Sequence, residues 1–160
     1  MVRGRTVDVT RRDAGFALTE LLVVLAMLGI LAVVAGPQFM SYWRTAATQS
    51  AAAELATAVN RARQLAISGN VSYCAKAAGG KVQYRVNSNA TCSADTGAWT
   101  GPGTDGSGFV TLSNRMTVAG GPVVFSSLGA ATLAGTFTVT NPNGGTRNVV
   151  VAASGRVTVQ

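Results

Sequence analysis

The chain has 160 residues and a formal net charge of +7, and 48% of its residues are hydrophobic whereas only 12% are charged. Histidine is absent, which removes the commonest general base and the commonest metal ligand. With two cysteines and no glycine-rich phosphate loop, neither a zinc site nor a nucleotide site is expected. We therefore predict a protein that is not an enzyme, with no catalytic residue, cofactor, metal or small-molecule substrate.

The first 39 residues divide into a polar segment and an apolar segment. Residues 1–15 are rich in arginine, whereas residues 21–34 are almost wholly apolar. Residues 16–35 are numerous enough to cross a bilayer as a helix. The arginines before them predict that the N-terminal side stays in the cytoplasm. The alternative is a secretory signal cut near Ala35 and Gly36, but the apolar character continues to Phe39.

Glu20 lies near the start of this apolar segment. A carboxylate within hydrocarbon costs about 2.5–3.5 kcal/mol on insertion scales. The sequence therefore predicts a partner for Glu20, unless its side chain merely reaches back to the headgroups.

The stretch GFALTELLVVLAMLGILAVVAGPQF resembles the N-terminus of a type IV prepilin or pseudopilin. The resemblance implies that a prepilin peptidase cuts between Gly15 and Phe16 and that the new amino group of Phe16 is methylated. It also implies that Glu20, the fifth residue of the mature chain, pairs with that amino group on a neighbouring subunit during assembly. Pro37 matches the proline of the family that kinks the helix.

A helix is predicted to continue beyond the apolar segment as far as Gly69-Asn70, a pair typical of helix ends. Gly36 and Pro37 should bend it, because proline removes one backbone hydrogen bond. The family resemblance adds that this region unwinds in a filament, an alternative that the residues leave open. Apolar residues recur at three- and four-residue spacing in the second half of the helix: Ala47, Ala51, Leu55, Ala58, Val59, Ala62, Leu65 and Ala66.

Short β-like runs separated by turn residues follow the helix. They cover residues 71–77, 81–87, 108–112, 116–118, 123–126, 136–140, 148–153 and 156–159. Residues 143–145 and 154–155 are the predicted hairpin turns, and residues 94–107 form a predicted exposed loop. The predicted fold class is α+β: a long N-terminal helix, transmembrane in its first half and amphipathic in its second, packed on a C-terminal antiparallel β-sheet domain, as in the type IV pilin fold.

The end of the chain resembles the GspH/FimT-like minor pilins and pseudopilins. The matching features are Phe125, Gly129, a strand at 136–140, Arg147 and the pair Gly155-Arg156. The DNA-binding members of this subgroup carry Gly-Arg-x-Arg near the end, and the second arginine is missing here. Arg147 lies across a predicted hairpin and would partly replace it. The alternative is that Arg147 and Arg156 are solvated surface charges.

Cys74 and Cys92 are the two cysteines. Outside the cytoplasm a single pair of cysteines is expected to oxidise. We predict a disulfide between them, with two free buried thiols as the alternative.

These observations predict four segments: a leader peptide at 1–15, a transmembrane and assembly helix at 16–40, an amphipathic helix at 41–69, and a β-rich periplasmic domain at 70–160. The predicted protein is a structural minor pilin that helps to initiate or cap a type IV pilus. It is first held by inner-membrane lipid as a single-pass protein and then lies in the pilus at the cell surface. Its expected partners are prepilin peptidase, other minor pilins and the major pilin. The alternatives are an H-type pseudopilin of type II secretion and a DNA-binding minor pilin of natural transformation.

Overall fold

A computed structural model describes residues 18–86, 91–92 and 97–160, without the side chains of Pro37 and Asn114. The chain forms two compact units, one ending at Phe39 and one running from Met40 to Gln160. Gly15 and Phe16 lie outside the described residues.

The described chain begins with a long helix, α1, which spans Leu18–Gly69. The helix ends where the sequence predicts, because Asn70 takes the left-handed conformation with φ 49°. The amide groups of Asn70 and Val71 then donate to the carbonyl groups of Ile67 and Ala66, each over 3.3 Å. A left-handed residue of this kind is a common way to satisfy the last carbonyls of a helix.

Nine strands and one 3-10 helix follow α1 in the described part of the chain. The strands are β1 Tyr73–Ala78, β2 Lys81–Val86, β3 Phe109–Val110, β4 Thr117–Gly120, β5 Val123–Phe125, β6 Ala131–Leu133, β7 Gly135–Thr140, β8 Thr146–Val151 and β9 Val157–Val159. The 3-10 helix is Ser113–Arg115. Eight strands correspond to the predicted β-like runs, and β6 was not predicted from the sequence.

The strands form two antiparallel sheets. The first has the order β3-β2-β1-β5-β6 and the second the order β4-β7-β8-β9. Both predicted hairpin turns are present, between β7 and β8 and between β8 and β9. The chain changes sheet at Gly120-Gly121, between β4 and β5.

The second half of α1 and the inner faces of both sheets share one hydrophobic core. Ala51, Leu55, Val59, Ala62 and Ala66 are buried on the helix side. Tyr84 and Phe125 of the first sheet, and Phe137 and Val149 of the second, are at most 1% exposed against them. The predicted fold class is therefore confirmed: an amphipathic helix packs on an antiparallel β domain.

The predicted exposed loop is only partly exposed. Within its described residues, Ala98 forms a β-bridge with Arg85, and the amide of Trp99 donates to the carbonyl of Tyr84 over 2.9 Å. The indole of Trp99 is half-buried and packs against the core. A large aromatic surface favours burial even in a segment rich in turn residues. This is why composition alone wrongly predicted that Trp99 is exposed.

Candidate functional site: the assembly segment and the motif residues of the β domain

The apolar segment of α1 exposes nearly all of its side chains. Residues 18–36 are exposed throughout, and the large hydrophobic residues among them include Leu25, 59% exposed, and Ile30, 68% exposed. By length and composition, α1 is the helix of the described chain that is able to cross a membrane. An apolar surface on every side of a helix requires lipid or other apolar helices around it.

Glu20 lies in the first turn of α1 and is exposed. Glu20 is the one charged residue between positions 18 and 39. A carboxylate in the first turn is favoured by the helix dipole. That contribution, about 0.3–1 kcal/mol, is too small to offset the cost of placing a charge in hydrocarbon.

α1 continues as one helix through Gly36 and Pro37. The kink at this pair therefore stays a prediction from the sequence.

Two glycines of the C-terminal motif meet beneath the end of α1. Gly129, in the turn between β5 and β6, has φ +82°, and Gly155, between β8 and β9, has φ +80°. A Cβ atom on Gly155 would overlap the carbonyl oxygen of Gly129. A Cβ atom on Gly129 would lie 2.8 Å from Cδ1 of Ile67 and 3.0 Å from Nε of Arg63. These two motif glycines thus let both turns dock against the helix.

Arg147 and Arg156 do not form a joint site, which corrects the expectation that they lie near each other across a hairpin. Arg147 is near the start of β8 and pairs with Val139. Arg156 lies beside the turn that follows β8, where its carbonyl accepts the amide hydrogen of Ala152 over 2.9 Å. The strand from Arg147 to Ala152 separates them by about 17 Å at 3.3–3.4 Å per residue.

Cys74 and Cys92 are joined in a disulfide, the pairing predicted from the sequence. Their Cα atoms are 5.7 Å apart. The bond packs with Val124 and Leu133 in a second apolar cluster, separate from the main core. The disulfide thus ties β1 to the chain that follows β2.

A polar contact that was not predicted from the sequence joins α1 to the first sheet. The hydroxyl of Tyr84 donates to the carbonyl of Ala58 over 2.8 Å. Burial raises the pKa of Tyr84 to about 12, although the nearby Arg61 acts in the opposite direction. Arg61 also stacks over Trp99, with 5.4 Å between its guanidinium carbon and the ring centroid. The alternation of Val82 and Tyr84 in the predicted strand was a signal that both side chains face inward.

Within the described residues, no group of three or more histidine, cysteine, aspartate or glutamate side chains is arranged to hold a metal ion. The described chain has an exposed apolar segment that holds one carboxylate, Glu20, and a β domain with its own hydrophobic core.

Comparison with known proteins agrees with this geometry. The family described as "Type II transport protein GspH" matches residues 51–155. The "Prokaryotic N-terminal methylation motif" matches residues 10–36. The chain therefore belongs to the GspH family of minor pilins and pseudopilins, which are structural pilins. The family and the apolar helix together define a membrane-anchored pilin, which interacts with other pilins and is processed by prepilin peptidase.

Two solved structures are also similar to this chain, both of the type IV minor pilin FimU from Pseudomonas aeruginosa strain PAO1. One has 21% sequence identity and a TM-score of 0.48, and it matches 71% of this chain and 87% of that chain. The other, in a second crystal form, has 20% identity and a TM-score of 0.46, and it matches 70% of this chain and 91% of that chain. A search of curated protein sequences gave no significant match.

Proposed function

We propose that this protein is a minor pilin that helps to initiate or cap a type IV pilus at its tip. The leader at 1–15 is removed between Gly15 and Phe16, and the new amino group of Phe16 is methylated. The helix at 16–40 anchors the chain in the inner membrane with the domain at 70–160 in the periplasm, connected by the amphipathic helix at 41–69. Extraction by the pilus machinery then transfers the apolar helix from lipid to a bundle of related helices.

Glu20 carries this proposal, because its carboxylate is exposed and is the one charged group among residues 18–39 of α1. An uncompensated charge in a medium of low dielectric is heavily penalised, whereas a pair of opposite charges in contact is not. The positive amino group of Phe16 on a neighbouring subunit would supply the partner. This pairing would favour one axial register between subunits, because any other register leaves both charges alone.

The substitution Glu20→Gln tests the pairing. We expect it to reduce the amount of the protein in sheared pili at least about tenfold, since a pair worth 1.4 kcal/mol already gives a factor of ten. Glu54→Gln is the matched control on the same helix, outside the apolar segment, and it should leave incorporation unchanged. Mass spectrometry of the mature chain should show an N-methylated Phe16 at its start. Normal incorporation of Glu20→Gln, or a pilus-borne chain that retains residues 1–15, would contradict the proposal.

The second candidate function is that of an H-type pseudopilin in type II secretion. The observation that favours it is the family match, since that family is described as a type II transport protein. The two functions predict different phenotypes for deletion of the gene. Loss of surface pili with normal protein secretion supports the pilus assignment, and loss of secretion with normal pili supports the secretion assignment.

A further inference from the structure

We propose that Arg44, Arg115 and Arg147, together with Trp43, form a surface that binds the phosphates of anionic phospholipid headgroups. We call these four residues the arginine surface. This surface would hold the domain against the membrane before the subunit enters a filament. The inference is independent of the function proposed for Glu20, because all four residues belong to the unit that begins at Met40.

Arg44 lies between two clefts of this unit. One cleft is lined by Trp43, Arg44 and Arg115, and the other by Arg44, Gly145 and Arg147. The three arginines come from α1, from the end of the 3-10 helix and from β8, so only the tertiary fold brings them together.

Asn141 holds this surface in place. Its side chain is only 5% exposed. Its Nδ2 donates to Oγ1 of Thr48 over 3.1 Å and to the carbonyl of Arg44 over 3.4 Å. Its Oδ1 accepts the amide hydrogen of Asn143 over 2.9 Å. The turn that precedes Arg147 is thereby tied to the helix that carries Arg44.

Arg115 occupies its place at a conformational cost. Its φ of 55° lies in the left-handed region, which is unfavourable for a residue with a Cβ atom by about 1–2 kcal/mol. Met116, 5% exposed, anchors the next position in the core. Residues in such sparsely populated backbone conformations cluster at functional sites, including ligand-binding sites.

The positive charge of the arginine surface is not compensated within the described chain. No carboxylate lines either cleft, and none of the three arginines forms a salt bridge with a described residue. The two described acidic side chains beyond residue 40, Glu54 and Asp105, make contacts elsewhere. Glu54 accepts the amide hydrogen of Ser113 over 3.0 Å, and Asp105 lies 3.8 Å from Nζ of Lys81. Three arginines that line two clefts on either side of Arg44, with no acidic side chain in the lining, favour an external anion.

The position of the surface in the chain identifies this anion as a lipid phosphate. Arg44 follows Phe39, the last residue of the apolar unit, by five positions. Tyr42 is 72% exposed and Trp43 is 64% exposed, and such aromatic residues concentrate at the membrane–water interface. Arginine binds phosphate oxygens through two parallel hydrogen bonds. An anionic headgroup on the side of the membrane where the domain lies therefore fits both the charge and the location.

The lipid preference of the full mature chain tests this proposal. The chain in neutral detergent micelles is titrated with phosphatidylglycerol or with phosphatidylcholine of the same acyl chains, and bound lipids are counted by native mass spectrometry. The ratio of the two affinities cancels the contribution of the apolar helix. The wild-type chain should prefer phosphatidylglycerol at least about tenfold, since each basic residue near an anionic surface contributes about a fivefold preference.

The double variant Arg115→Gln/Arg147→Gln should lose this preference. Lys76→Gln/Arg156→Gln is the matched control, because it also removes two positive charges, one half-buried and one exposed, and it should keep the preference. Circular dichroism of each variant establishes that the domain is folded. Equal affinities of the wild-type chain for the two lipids, or an equal loss in both double variants, would overturn the proposal. So would duplex DNA that binds through Arg115 and Arg147 in a chain that shows no lipid preference.

Discussion

The two halves of α1 differ in where their apolar side chains lie. Between residues 18 and 36 the side chains are exposed on every side of the helix. Between residues 51 and 66 one face is buried against the two sheets, while residues such as Ala53 and Thr57 on the other side stay exposed. The first half needs other molecules around it, whereas the second half completes the core of its own domain.

Side-chain size marks this difference in the sequence. Leucine and valine dominate the first half, but alanine dominates the buried stripe of the second half. Small residues let the helix backbone approach the sheets closely, and the large side chains of the core, Tyr84, Phe125 and Phe137, come from the strands. One continuous helix is therefore suited to two environments. Its first half needs lipid or neighbouring helices around it, and its second half packs against the core of its own domain.

The same leucine-to-alanine substitution in each half of α1 should have very different effects on the free energy of unfolding. Leu55 is 0% exposed and Leu25 is 59% exposed. Leu55→Ala should lower the free energy of unfolding of the β domain by about 2–5 kcal/mol, because it leaves a cavity in the core. Leu25→Ala should change that free energy by less than about 0.5 kcal/mol. Denaturant unfolding of the full chain in micelles, followed by near-ultraviolet circular dichroism, measures both free energies. An equal decrease in the two variants would contradict the difference between the two halves of α1.

Removal of the disulfide should have the next largest effect, confined to the β domain. The bond closes a loop with a sequence separation of 18. Cys74→Ala/Cys92→Ala should therefore lower the free energy of unfolding by about 3 kcal/mol in the chain-entropy description. Treatment of the wild-type chain with a reductant serves as the control and should give a similar loss in the same unfolding experiment. A reduced chain as stable as the oxidised chain would contradict this prediction.

Gly155→Ala probes the contact between the two motif turns beneath the end of α1. Gly144→Ala is its matched control, since Gly144 also has a positive φ, +94°, but a Cβ atom there would meet nothing within 4 Å. Both variants bear the cost of a left-handed alanine. Gly155→Ala should be less stable than Gly144→Ala by about a further 1–3 kcal/mol, because its Cβ atom would overlap the carbonyl oxygen of Gly129, and a backbone atom does not move aside as the end of a flexible side chain does. Equal melting temperatures of the two variants would show that the two motif turns are not in close contact.

Of these substitutions, Tyr84→Phe should have the smallest effect on stability. It tests the hydrogen bond that joins the first sheet to the second half of α1. Loss of the hydrogen bond to Ala58 should lower the free energy of unfolding by about 0.5–1.5 kcal/mol at neutral pH. Because the pKa of Tyr84 is raised from 10.0 to about 12, the folded chain keeps this proton where the unfolded chain releases it. The stability from this group is present below pH 10 and is lost as the pH rises towards about 12.

Unfolding of the wild-type chain and of Tyr84→Phe across that pH range isolates the contribution of Tyr84 from other titrating groups. The wild-type chain should lose more stability than the variant. Parallel pH profiles would show that the hydroxyl is not buried in the way described.

Much of the fold could be predicted from local patterns. The helix end at Gly69, eight of the nine described strands and both hairpin turns follow from periodicity and turn residues. The strand β6 was missed because Ala131–Leu133 is short and begins with alanine, a residue depleted in strands. Its strand conformation comes from pairing with β5 and from the hydrogen bond between the amide of Ala131 and the carbonyl of Ala153.

Local sequence is sufficient to identify the apolar segment around Glu20, the amphipathic stripe and the family of the chain, because each is a property of neighbouring residues. Which distant residues meet depends instead on how the helix and the two sheets pack together. The register of β8 and β9 placed Arg147 and Arg156 at opposite ends of a hairpin. Arg147 lies beside Arg44 because Asn141, before the turn between β7 and β8, is hydrogen-bonded to α1. Likewise, Gly129 and Gly155 meet because two turns from different sheets converge on α1. Such contacts depend on strand order and on the crossing between sheets, which local spacing does not encode.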